Sequence, residues 1–107
     1  KPMERKLVPT GLKMEIPVGY EGQVRPKSGL SINHGITQVN CTGTIDSGYR
    51  GEIKVPLINL SNSEYKIEKG KKIAQIIFAK VEEVVFEETE QLTETTRAHN
   101  GFGSTGL

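Results

Sequence analysis

The sequence predicts an all-β fold, a jelly-roll-like sandwich or barrel of short strands followed by a flexible C-terminal arm. Three observations carry this expectation. The 12 Gly and 5 Pro among 107 residues divide the chain into pieces too short for long helices. Turn signals recur about every 8 to 12 residues. Between them, apolar residues alternate with polar ones and are rich in Val and Ile, the pattern of half-buried strands.

Taken in order, Lys6-Leu7-Val8 ends at Pro9-Thr10-Gly11, and Leu12, Met14 and Ile16 then alternate with Lys13 and Glu15 as far as Pro17. These read as two strands joined by a Pro-Gly turn. Tyr20 to Val24 is a third strand, closed by Pro26. Lys27-Ser28-Gly29-Leu30-Ser31 is a polar loop with room for a single helical turn, and Ile36 to Asn40 resumes extended structure. Thr44 and Ile45 lead into Asp46-Ser47-Gly48, after which Glu52 to Leu57 alternates, so residues 40–57 are expected to form a hairpin with Asp46 at its bend and Tyr49 opposite. Pro56 cannot donate to a ladder and marks an edge or a bulge. Ser61-Asn62-Ser63 is a turn, Tyr65 to Ile67 a short strand, and Glu68-Lys69-Gly70-Lys71 another turn. Ile73 to Val81 is expected to be the most buried strand, continuing through Val84, Val85 and Phe86. From Glu87 the composition turns polar and acidic. Residues 1–88 are therefore assigned to the β core and 89–107 to an arm that buries too little surface to order itself without a second surface to lie on.

Composition excludes several functions. With 14 basic and 13 acidic residues the net charge is +1, so no field draws the chain to nucleic acid or to an anionic membrane. No apolar run approaches the about 18 residues of a membrane span. The single Cys41 cannot form an internal disulfide, which suits a reducing compartment, the cytoplasm. The chain opens on Lys1 rather than Met, so the natural start is expected upstream.

Four patches fit one chemical task. Pro26-Lys27-Ser28-Gly29 offers a cation, a hydroxyl and close backbone approach, as a phosphate needs. The segment from Asn40 through Gly43, Thr44, Ile45 and Asp46 to Tyr49 offers a carboxylate, an aromatic ring and free main-chain groups. Gly70-Lys71-Lys72-Ile73-Ala74-Gln75 adds an amide. Arg97-Ala98-His99-Asn100-Gly101-Phe102-Gly103-Ser104-Thr105-Gly106 adds a guanidinium, two hydroxyls and one aromatic in a Gly-rich frame. Each patch has an ordinary structural reading. An Asp before Ser-Gly is commonly an Asx-turn residue, and the Lys69, Lys71, Lys72 cluster is a solvated turn. The tail alone is a flexible segment and lacks the Gly-Lys-Ser/Thr of a P-loop. Cys41 and His34 read as packing residues, and His99 as a solvated arm residue.

In combination and order, the patches resemble the second to fifth motifs of the trimeric deoxyuridine triphosphate nucleotidohydrolases, the dUTPases, over nearly the whole chain. The resemblance implies a homotrimeric jelly roll that hydrolyses dUTP to dUMP and pyrophosphate with Mg²⁺ bound through phosphates and water, and with no metal-ligating side chains of its own. It implies that Asp46 activates the water attacking the α-phosphorus. Main-chain groups of Asn40 to Tyr49 (among them Gly43, Thr44 and Ile45) would read uracil, with Tyr49 beneath the sugar. Lys27, Ser28, Gly29 and Gln75 would serve the phosphates. Arg97, Phe102, Gly103, Ser104 and Thr105 would close over a neighbouring subunit's site. The family's first motif, Ala-Gly-x-Asp-Leu, is expected to precede Lys1. Lys27 stands where Arg is commoner, Lys71 where an acid is usual, and Ala98-His99-Asn100 where the arm is more Gly-rich. Two rivals stay open: a dCTP deaminase of the same fold, with its own catalytic carboxylate, and a non-catalytic nucleotide-binding or interaction module. Tyr49 after Ser47-Gly48 and the Gly-Phe-Gly-Ser-Thr-Gly arm favour the hydrolase.

Overall fold

The computed structural model describes residues 1–104 and Gly106. Six strands and one helix follow in the order β1 (Arg5–Pro9), β2 (Tyr20–Pro26), α1 (Ser28–His34), β3 (Ile36–Gln38), β4 (Gly43–Ile45), β5 (Lys54–Asn59) and β6 (Ala74–Lys80). They form two three-stranded sheets, β1-β5-β3 and β4-β2-β6, antiparallel throughout. This is the all-β sandwich that the turn spacing predicts.

Alternation along β5 places Val55, Leu57 and Asn59 inside, with Lys54 in solvent. Val55 and Leu57 meet Val24 of β2, Ile36 of β3 and Ile53, and together these form the buried core between the sheets. Asn59 is a polar residue in that layer, and both polar atoms of its side chain are hydrogen-bonded. Its Nδ2 donates to Ser63 O at 2.8 Å, while Oδ1 accepts from Ser61 N at 2.9 Å and Ser61 Oγ at 2.7 Å. A side chain on the last residue of β5 thus shapes the expected Ser61-Asn62-Ser63 turn. Helix α1 stops at Gly35, where φ is 67° and a Cβ would lie 2.9 Å from Ser61 N. Only glycine suits both that left-handed conformation and that close approach.

Several expectations are corrected. Residues 40–57 are not a hairpin: β4 pairs with β2 and β5 with β1 and β3, so the bend carries the chain from one sheet to the other. Leu12 to Ile16 is extended but joins no ladder. Ile16 is buried, and Leu12 O accepts from Ile53 N at 2.8 Å. The segment Tyr65 to Ile67 is not a strand either. The Tyr65 ring packs against the exposed His34 with centroids 4.6 Å apart. The polar loop after Pro26 holds a helix of 7 residues rather than a single turn. Pro56 sits in the central strand of its sheet, not at an edge. Its carbonyl accepts from Val39 N at 2.9 Å, one residue past the end of β3, where the ladder stops and a returning N–H is not needed. Cys41 is exposed rather than packed and donates from Sγ to Gln38 O at 3.0 Å.

The largest correction concerns β6. It is an edge strand, paired among the described residues only with β2, and Ile77 and Phe78 are among its exposed residues. The run does not continue as a strand, and Val85 and Phe86 are 97% and 92% exposed. Hydrophobicity announces burial without saying against what, and a single chain leaves this surface uncovered. The Cα radius of gyration, 18.9 Å, exceeds the about 13 Å of a compact domain this long, because the C-terminal segment runs away from the core.

Candidate active site

Strand β4 lies at the edge of its sheet, so alternate N–H and C=O groups of Gly43, Thr44 and Ile45 have no strand beyond them among the described residues. The chain then turns: Tyr49 N donates to Asp46 O at 3.1 Å. Arg50 Nη1 donates to Ser47 O at 2.7 Å and Tyr49 O at 3.2 Å, bracing the outer side of the turn. Tyr49 folds back so that its hydroxyl donates to Glu52 O at 2.8 Å. Its ring lies over Gly51, where a Cβ would come 2.5 Å from the hydroxyl oxygen and 2.7 Å from Cζ. Gly51 is what lets the ring take this position.

The bend is anchored to a remote loop. Glu52 Oε2 accepts from Gly11 N at 3.0 Å, Thr10 Oγ1 donates to Ile53 O at 2.6 Å, and Leu12 N donates to Thr10 Oγ1 at 3.1 Å. Beside the bend opens a cleft of about 370 Å³ lined by Leu7, Thr44, Ile45, Asp46, Tyr49, Glu52, Ile53 and Lys54. The Asp46 carboxylate makes no side-chain hydrogen bond among the described residues and is free to act on a ligand.

A second group of candidates gathers elsewhere. Pairing of β2 with β6 sets Arg25 opposite Gln75 and Pro26 opposite Ala74, so Lys27 and Ser28, at the start of α1, come beside Gln75. A Cβ on Gly29 would meet nothing within 4 Å, so the backbone there is open to an approaching group. The two groups sit at opposite ends of β2. Ile45 faces Gly22, which puts Asp46 level with Glu21, whereas the Ser28 patch lies beyond Pro26. Four residues of antiparallel strand, about 14 Å, separate the level of Asp46 from that of Gln75, and five, about 17 Å, from Pro26. In a single chain the bend and the Ser28 patch are thus held apart along β2.

The arm stands apart from both. Arg97 Nε donates to Asn100 O at 2.8 Å and Ser104 N to Gly101 O at 3.3 Å, so these contacts are local, and Phe102 is fully exposed. Thr105 lies outside the described residues. Asn40 is placed behind β4, its Nδ2 close to where a Gly43 Cβ would be, at 3.1 Å.

The dUTPase family model matches residues 1–106. The chain belongs to the dUTPase family. It is 60% identical over 106 residues to the deoxyuridine 5'-triphosphate nucleotidohydrolase of Finegoldia magna, covering 99% of this chain and 74% of that protein. It is 56% identical over 107 residues to that of Clostridium novyi, covering 100% and 75%. Its fold is similar to that of a Staphylococcus bacteriophage 80alpha dUTPase solved with dUpNHpp, with a TM-score of 0.88 at 24% identity, covering 100% of this chain and 79% of that one. A dUTPase from phage phi11 of S. aureus, whose structure concerns the coordination of a structural Mg(II) ion, has a TM-score of 0.75 at 21% identity over 88% of this chain and 77% of that one.

Within this family member, the residues that sequence reasoning missed are Glu52, Thr10 and Arg50, which hold the bend, and Gln38, which is bonded to Val24 O and Asn40 O where the chain enters β4. Glu52 and Gly11 are 41 residues apart in the chain, and nothing local signals their bond. Arg50, beside a Ser-Gly turn, carried a local signal.

Proposed function

We propose that this chain hydrolyses dUTP to dUMP and pyrophosphate at sites built between the subunits of a homotrimer. The observation that carries the shared site is the separation along β2, about 14 to 17 Å, between the Asp46 bend and the Ser28–Gln75 patch. A second copy can bring its patch to the first copy's bend, and the exposed Val84, Val85 and Phe86 supply apolar surface for such contacts.

In this reading, the outer main-chain groups of β4 and the following turn pair with the uracil edge. A thymine methyl meets backbone, and cytosine presents its donor and acceptor exchanged. Tyr49, held by Glu52 O and Gly51, lies under the deoxyribose and leaves no space for a 2′-hydroxyl. Asp46 takes a proton from water as its oxygen attacks the α-phosphorus in line. The bond from that phosphorus to the α,β-bridging oxygen breaks, and pyrophosphate leaves with the bonding pair. Lys27, Ser28 and Gln75 of a neighbour hold the phosphates, with Gly29 allowing close approach. Arg97, Ser104 and Thr105 of an arm close on the triphosphate while Phe102, with Gly103 beside it, stacks over the base and excludes water.

Among the described residues, no three His, Cys, Asp or Glu side chains gather to hold a metal. Asp46 and Glu52 are the carboxylates of the cleft, and Glu52 is already engaged by Gly11. This donor set fits a Mg²⁺ ion that arrives with the nucleotide and keeps phosphate oxygens and water as ligands. Such an ion would neutralise charge on the triphosphate. Among the described residues no helix is long and apolar enough to cross a membrane, and a lone exposed thiol is at home in the cytoplasm.

The experiment is product analysis. With dUTP and Mg²⁺ the chain should yield dUMP and pyrophosphate in equal amounts, without inorganic phosphate. Ammonia released from dCTP with dUTP left intact would overturn the proposal in favour of a deaminase. A narrower test concerns Tyr49. The added methyl of Gly51→Ala cannot coexist with the ring where it stands, so kcat/KM for dUTP is expected to fall on the order of 10²-fold. Steady-state kinetics on a variant of unaltered far-UV dichroism measure this, and an unchanged value would mean that the ring position is immaterial.

A further inference from the structure

Gln38 ends β3 with its side chain turned into the core and only 3% exposed. Its Nε2 donates to two main-chain carbonyls, Val24 O on β2 at 3.1 Å and Asn40 O at 3.2 Å, and lies 3.5 Å from Asn40 Oδ1. Its Oε1 has no partner among the described residues. The carbonyls fix which way the amide faces, because the reverse orientation would set oxygen against oxygen. A half-satisfied buried amide is a poorer core residue than an apolar side chain of the same volume. Stability therefore does not account for it.

Its contacts converge on one loop. Val24 is the residue opposite Gly43 in the β2–β4 ladder. Asn40 Nδ2 and Gln38 Nε2 would lie 3.1 Å and 3.6 Å from a Cβ on Gly43. Cys41 Sγ donates to the main-chain carbonyl of Gln38 itself at 3.0 Å. The loop leaving β3 and the start of β4 are thus tied to the same buried residue.

We infer that Gln38 is a positioning residue for base recognition. By drawing the Asn40 carbonyl inward and bonding it beside Val24, it sets which main-chain groups of residues 40–45 turn outward to the nucleobase. It touches no ligand itself. The inference rests on the reading of β4 as the base-reading strand.

Gln38→Met keeps the volume and removes both donated hydrogen bonds. Base contacts are made equally in the ground and transition states, so loosening them acts on KM rather than kcat. The variant is expected to raise KM for dUTP about tenfold with kcat nearly unaltered, and to lower the preference for dUTP over dTTP in kcat/KM by about the same factor. A role confined to stability would move the melting temperature and leave that preference in place. A folded Gln38→Met with the KM and preference of the unaltered chain overturns the inference. Should both Gln38→Met and Gln38→Leu fail to fold, the side-chain amide protons of Gln38 in the unaltered protein decide. They are expected to shift and to exchange more slowly on addition of dUMP, and signals that do not respond overturn the inference. An unaltered chain that leaves dUTP intact defeats the functional reading and this inference with it. Turnover by the unaltered chain alongside an indistinguishable Gln38→Met defeats this inference alone.

Discussion

Asp46→Asn is expected to lower kcat for dUTP by about 10²- to 10⁴-fold, the usual contribution of a general base, while the non-hydrolysable dUpNHpp still binds. Asparagine keeps the shape of the side chain. The turn is built from main-chain and remote contacts, namely Tyr49 N to Asp46 O and Glu52 to Gly11, neither of which uses the carboxylate. The variant therefore isolates proton abstraction from architecture. Single-turnover kinetics beside an equilibrium binding measurement separate the two. Undiminished turnover would remove Asp46 from the chemistry, and loss of analogue binding would make it a binding residue instead.

Deleting residues 97–107 is expected to leave a folded trimer whose kcat/KM falls on the order of 10²-fold or more, since the proposed closure would orient the triphosphate and exclude water. The prediction follows from where the arm stands. Hydrogen bonds of Arg97 and Ser104 stay within the arm, and Phe102 lies on nothing. The buried core of Val24, Ile36, Ile53, Val55 and Leu57 owes the arm no contact. Sedimentation and dUTP kinetics on the shortened chain read both halves of the prediction. A monomer would make the arm an assembly element, and full activity would deny it a part in the site.

What the sequence disclosed depended on how local the determining physics is. The Asp46–Tyr49 turn was legible because Asp, Ser and Gly carry turn chemistry within four residues. Whether the strands on either side of it pair with one another was not. β4 and β5 choose their partners across the sandwich, and a turn signal is compatible with a hairpin or with a crossing between sheets. The alternation at Val55 and Leu57 announced the core correctly, whereas the apolar run from Ile73 to Val81 announced only that something covers it. Gln38 was invisible because a polar glutamine reads as solvent-facing even though it shares a strand face with buried Ile36, and its partners, Val24 O and Asn40 O, are main-chain atoms without a residue signature. The four patches were each readable, and the structure adds that two of them lie at opposite ends of β2.

That separation makes the central claim directly measurable. Asp46→Asn chains and Ser28→Ala/Gln75→Ala chains are each expected to be nearly inactive as homogeneous assemblies. When the two are unfolded together and refolded as a mixture, about a quarter of the sites should pair an intact bend with an intact patch by random assortment. The mixture should then recover about a quarter of the unaltered activity. A mixture no more active than its components would contradict the account, because it would mean that the bend and the patch serving one nucleotide belong to the same chain.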